Sequence, residues 1–129
     1  MHRPVSLPID PLRSELLRAL AEAPVVLTAP TGSGKSTQVP RWAAAEGRVL
    51  VVEPRRVACR GLAARVADLE GTPLGEGVGY LVRDDRRAGP ATRIVFATTG
   101  VALRLLADDG LAGFHTVVLD EFHERSLDL

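Results

Sequence analysis

Ala29-Pro30-Thr31-Gly32-Ser33-Gly34-Lys35-Ser36-Thr37 lies between an apolar run, Val25-Val26-Leu27, and a segment with helical spacing. Strand, glycine-rich turn and helix in that order is the setting in which a phosphate-binding loop works. Gly32 and Gly34 carry no Cβ, so their backbone can take positive φ and come close to a phosphate. The loop N–H groups then form an anion nest at a helix N-terminus. Lys35 adds a compact positive charge for the β- and γ-phosphates, and Ser36 adds a hydroxyl suited to Mg²⁺. Ala29 stands where the pattern has its first glycine. The two glycines nearest the phosphates are kept, so the loop can still curl.

Working outward, 129 residues make one domain and are too few for two ordinary ones. The chain is 46% hydrophobic, which suits an α/β core. Its formal net charge is zero, so any basic surface must be local. A single cysteine, Cys59, excludes an internal disulfide. No apolar run is long enough to span a bilayer and the opening residues carry no leader signal, so a cytoplasmic protein without a membrane partner is expected. Of the 16 basic residues only Lys35 is lysine, leaving 15 arginines. A lone lysine inside the loop fits a site where a point charge must reach phosphates and a planar fork would fit poorly.

In chain order, a proline-containing lead-in gives way to an amphipathic helix over 11–22, opened by Asp10-Pro11. A buried strand is predicted at 25–28 and a second helix at 35–46, with Trp42 in the core or at an interface. A second strand follows at 49–52 and a third helix at 57–69, with Leu62, Val66 and Leu69 on one face and Cys59 as a small core residue. The stretch 71–79 reads as a turn-rich loop, 78–82 as a short strand and 83–90 as a charged turn. A strand at 92–97, a turn at Thr98-Thr99-Gly100, a short helix at 101–107 and a last strand at 116–119 complete the series. Strands that are apolar throughout, alternating with helices, indicate a mostly parallel sheet covered on both faces, an α/β fold.

The last strand delivers Asp120-Glu121. At the carboxyl end of a strand, Asp120 can hold Mg²⁺ through water while its neighbour Glu121, projecting differently, orients or deprotonates an attacking water. Together with the loop, this pair points to a nucleoside triphosphate bound with Mg²⁺.

Four segments now carry a resemblance: residues 29–40, Glu53-Pro54-Arg55-Arg56-Val57-Ala58, Thr98-Thr99-Gly100-Val101 and Asp120-Glu121-Phe122-His123-Glu124-Arg125-Ser126. Their order and spacing resemble motifs I, Ia, Ib and II of the first RecA-like domain of DEAH-box ATP-dependent RNA helicases. Phe122, in the place of the alanine of Asp-Glu-Ala-His, is most similar to the bacterial HrpB type. The resemblance implies that Thr31, Gly32, Ser33, Gly34, Lys35, Ser36 and Thr37 hold ATP. It implies that Ser36, Asp120 and Glu121 serve Mg²⁺, with Lys35, Asp120, Glu121 and His123 as the catalytic set. It also implies that Arg55, Arg56, Thr98, Thr99 and Gly100 touch the backbone of single-stranded RNA or DNA, as arginine forks and hydroxyls do without reading bases.

The same resemblance makes residues 1–129 a partial helicase ATP-binding domain, with motif III and a second RecA-like domain absent. In the family sheet a further strand sits between the loop strand and the Asp-Glu strand. The expectation is therefore that strands 25–28 and 116–119 flank an empty position, that the isolated piece folds poorly, and that it hydrolyses ATP weakly or not at all. A non-helicase ATPase with a phosphate-binding loop, or an inactive nucleotide- or nucleic-acid-binding fragment, stays open as an alternative.

Overall fold

The computed structural model describes residues 25–29 and 35–120. The helix expected over 11–22, the loop residues 30–34 and the residues from Glu121 onward lie outside them. The described elements are β1 (Val25–Ala29), α1 (Lys35–Ala43), β2 (Val49–Val52), α2 (Arg56–Glu70), β3 (Val78–Val82), β4 (Asp85–Arg87), β5 (Ile94–Ala97), α3 (Thr99–Asp109) and β6 (Thr116–Asp120). They form one six-stranded sheet in the order β1-β6-β2-β5-β3-β4. Every pairing is parallel except that of β4 on β3.

The central strands are buried on both faces, as continuous apolar runs require. Their two-residue alternation divides the core. Val49, Val51, Ile94, Phe96 and Val118 face α1 and α2, whereas Leu50, Val52, Val95, Ala97, Val117 and Leu119 face α3 and the segment carrying Leu111 and Phe114. Fully burying Phe96, Leu50 and Leu119 stabilises this three-layer arrangement by roughly 1.5–3 kcal/mol each.

The inner face of α2 differs from the expected one. Cys59, Ala63, Val66 and Ala67 are buried, Leu62 only partly so, and Leu69 is 43% exposed. A stripe of small residues lets the helix lie close on β3 and β5, which a leucine stripe would hold off. Gly71, at φ 71°, ends α2: its N–H donates to Asp68 O and that of Thr72 to Ala67 O, a Schellman closure that needs the left-handed backbone. Trp42 is 65% exposed and so not a core residue, because α1 turns its Ala43 and Val39 side to the sheet instead. The α1 helix ends at Ala43, short of Glu46.

Two further expectations need correcting. The charged segment 83–90 is not all turn: Asp85–Arg87 pairs antiparallel with β3, Tyr80 opposite Arg87 and Val82 opposite Asp85. Gly79 makes room for it, since a Cβ there would stand 1.9 Å from the Arg87 carbonyl oxygen. The second correction concerns the empty position. β6 pairs with β1 along one side, from Val25 opposite Thr116 to Ala29 opposite Asp120, and with β2 along the other. With both ladders of β6 filled, no strand position stands open between β1 and β6, and unpaired backbone there gives no reason for poor folding.

Candidate functional site

In open parallel sheets, ligands bind beyond the carboxyl ends of the strands. Here that edge gathers the segments singled out in the sequence. The register sets Ala29, the last residue of β1, beside Asp120, the last of β6. Neighbouring strands lie about 4.8 Å apart, so the exit into the glycine-rich loop and the acidic strand end share one spot. Lys35 and Ser36 open α1, which packs against β1, β2 and β6. Thr37 is buried in the first turn of α1. Thr31, Gly32, Ser33 and Gly34, with Glu121 and His123, lie outside the described residues.

One strand further along, β2 and β5 end together, Val52 opposite Ala97, and the Glu53 N–H donates to Ala97 O at 2.9 Å. The chain leaves β2 through Arg55 into α2 and leaves β5 through Thr98 into α3. Thr99 and Gly100 form the first turn of α3 rather than a separate turn. Extended Thr98 is its N-cap, and the Ala102 N–H already donates to Thr98 O. Because α2 and α3 cover opposite faces, their N-termini approach the edge from both sides. Helix N-termini favour anions there. Thr98 and Thr99 are half-buried and Gly100 is exposed, with open space around its Cα.

The arginines at this edge meet carboxylates. Glu53 is fully buried; its Oε2 accepts the Arg55 backbone N–H at 3.0 Å and lies 3.3 Å from Arg55 Nε. Arg55 itself remains 63% exposed. Arg56 Nη2 lies 3.5 Å from Asp84 Oδ1 in the β3–β4 turn. Behind them, the Tyr80 hydroxyl donates to Asp85 Oδ2 at 2.8 Å, with Arg60 Nε 3.8 Å from the same oxygen. The Asp85 hydrogen bond, aided by burial, raises the Tyr80 pKa above its ordinary value. Glu53 and the Asp84–Asp85 pair received no role from the sequence. The available signal was a charge placed directly after four buried apolar residues, and an acidic pair inside an arginine-rich turn.

The model of the DEAD/DEAH box helicase family matches residues 11–128. The chain belongs to the DEAD/DEAH box helicase family. Among its relatives, the ATP-dependent RNA helicase HrpB of Escherichia coli (strain K12) is 46% identical over 128 residues, covering 95% of this chain and 16% of that protein. The human ATP-dependent RNA helicase DHX33 is 43% identical over 129 residues, covering 95% and 18%. A crystal structure of the E. coli DExH-box NTPase HrpB superposes with a TM-score of 0.69 at 44% identity, covering 97% of this chain and 16% of that one. The mostly parallel sheet is thus the RecA-like helicase fold, and the chain spans about one sixth of the length of these relatives. Among the described residues, no helix is long and apolar enough to cross a membrane.

Proposed function

We propose that this chain forms the nucleotide-binding part of an ATP-driven motor that moves along and unwinds RNA. The observation that carries the proposal is the Ala29–Asp120 register, which joins the loop exit to the acidic strand end. Thr31 to Thr37 hold the phosphates, with the Lys35 ammonium on the β- and γ-groups. Glu121 orients a water for in-line attack and takes its proton as the γ-phosphoryl group leaves ADP. His123 couples this site to the rest of the protein. A second RecA-like domain of the intact protein closes the site. The names of the relatives, ATP-dependent RNA helicases, support RNA over DNA. Such a motor works in the cytoplasm.

Mg²⁺ suits the donor set. Ser36 stands at the start of α1 and Asp120 at the end of β6, with Glu121 next in sequence, and all three residue types offer hard oxygen ligands. Held by Ser36 and Asp120, with Glu121 beside them, the ion would supply neutralisation of the negative charge on the triphosphate. Arg55, Arg56, Thr98, Thr99 and Gly100 bind backbone phosphates of a single strand, and the same contacts would accept DNA.

The test is ATP turnover by the intact protein with and without single-stranded RNA. RNA should stimulate the wild type, and Lys35→Ala or Glu121→Gln should lower turnover by about 100-fold or more, the scale of losing transition-state charge stabilisation. Turnover indifferent both to RNA and to Arg55→Ala/Arg56→Ala would contradict the motor and favour an ATPase of another kind.

A further inference from the structure

We infer that Asp84, at the tip of the β3–β4 hairpin, competes with the nucleic-acid backbone for Arg56. The inference rests on the proposed role of Arg56 as a phosphate contact. Arg56 Nη2 is 3.5 Å from Asp84 Oδ1, with side-chain exposures of 48% and 64%. The carboxylate therefore occupies the kind of position that a guanidinium at a helix start offers to a phosphate oxygen.

The hairpin is held in place for this. Its β4 backbone is paired to β3, and the missing Cβ of Gly79 allows that pairing. Asp85 is engaged inward, accepting from the Tyr80 hydroxyl at 2.8 Å and lying 3.8 Å from Arg60 Nε. Asp84, the other half of the acidic pair, is the one left to meet Arg56. The two acids thus divide the work: Asp85 fixes the turn to the sheet and α2, and Asp84 presents its charge at the rim of the proposed backbone-binding edge.

An exposed ion pair is weak, so a phosphate can displace it. The competition should reduce affinity by about two- to five-fold, the scale of such a pair. It should also flatten the salt dependence. A phosphate neutralised on single-stranded nucleic acid releases about 0.7 of a condensed cation, but an uncovered Asp84 attracts a cation in return.

The test is fluorescence anisotropy of a labelled single-stranded RNA with the intact protein at several salt concentrations. Asp84→Asn should bind about two- to five-fold more tightly, with a salt slope steeper by up to about 0.7. Asp84→Ser, which also removes the charge in a turn-compatible residue, should do the same. On an Arg56→Ala background, Asp84→Asn should change neither quantity. If Arg56→Ala weakens binding but neither Asp84 variant alters affinity or slope, the competition is refuted while the backbone role of Arg56 stands. An equal gain on both backgrounds would show general repulsion and refute it as well. No loss of affinity in Arg56→Ala would overturn both the competition and that role.

Discussion

Arginine is used in two different ways at the two edges of the sheet. At the amino edge, Arg48 donates from Nε to Thr92 O at 2.7 Å and from Nη2 to Gly89 O at 2.9 Å, with its guanidinium 4.6 Å from the Phe114 ring centre. Arg93 donates from Nε and Nη2 to Ala44 O. Burial lowers the Arg48 pKa from its ordinary value. At the carboxyl edge, Arg55 and Arg56 meet the carboxylates of Glu53 and Asp84 and stay about half exposed or more. A carbonyl partner ties an arginine into the chain, closing a loop that has no ladder of its own. A carboxylate partner can be exchanged for a phosphate. In a chain with zero net charge, the partner of each arginine says more about its use than the number of arginines does.

The comparison can be broken most easily at the amino edge. Arg48→Ala should lower unfolding free energy by about 2–3 kcal/mol, since it removes two hydrogen bonds to carbonyls and the ring contact, while leaving nucleotide affinity unchanged. Urea denaturation of the intact protein measures the first and calorimetric titration the second. Gly79→Ala drives a methyl into the Arg87 carbonyl and should destabilise by roughly 1–3 kcal/mol, with β4 protection in hydrogen exchange lost first. The double change Arg55→Ala/Arg56→Ala should act on binding instead. RNA affinity should fall by about tenfold and the salt slope by about 1.4, two contacts at 0.7 each, with a stability loss of about 1–3 kcal/mol because buried Glu53 loses a charged partner. Tyr80→Phe should cost about 1 kcal/mol through the lost bond to Asp85. The folded-state value of Tyr80 lies above its ordinary 10.0, so this contribution is complete below about pH 10 and disappears as pH rises through the folded value. A stability difference between Tyr80→Phe and wild type that persists undiminished at high pH would contradict it.

Much of this was legible before the fold was known, because β2, β5 and β6 each carry three or four consecutive apolar residues, a pattern decided locally. Motifs at the strand ends were legible for the same reason. The sequence was misleading where the outcome depended on a distant partner. Asp85–Arg87 has no apolar residue and is a strand only because β3 offers backbone and Gly79 offers space. Leu69 looked like core by its spacing, but the sheet accepts the small stripe of Cys59, Ala63 and Ala67 beside it. The direct β1–β6 ladder joins segments about ninety residues apart, and no local pattern encodes which strand lies beside which. Glu53 ends a buried run as a charge, and its Oε2 meets the Arg55 N–H and guanidinium, a partnership that a charge after four apolar residues does not announce.

The central claim is that Lys35 and Asp120 serve one bound triphosphate, and a double-mutant cycle on the intact protein tests it most directly. MgATP binding would be measured by calorimetry for wild type, Lys35→Ala, Asp120→Asn and both together. The account predicts that each single change weakens binding at least about tenfold, and that the double change costs clearly less than the sum, as groups sharing one ligand do. Binding unaffected by Asp120→Asn, or strictly additive losses, would contradict it.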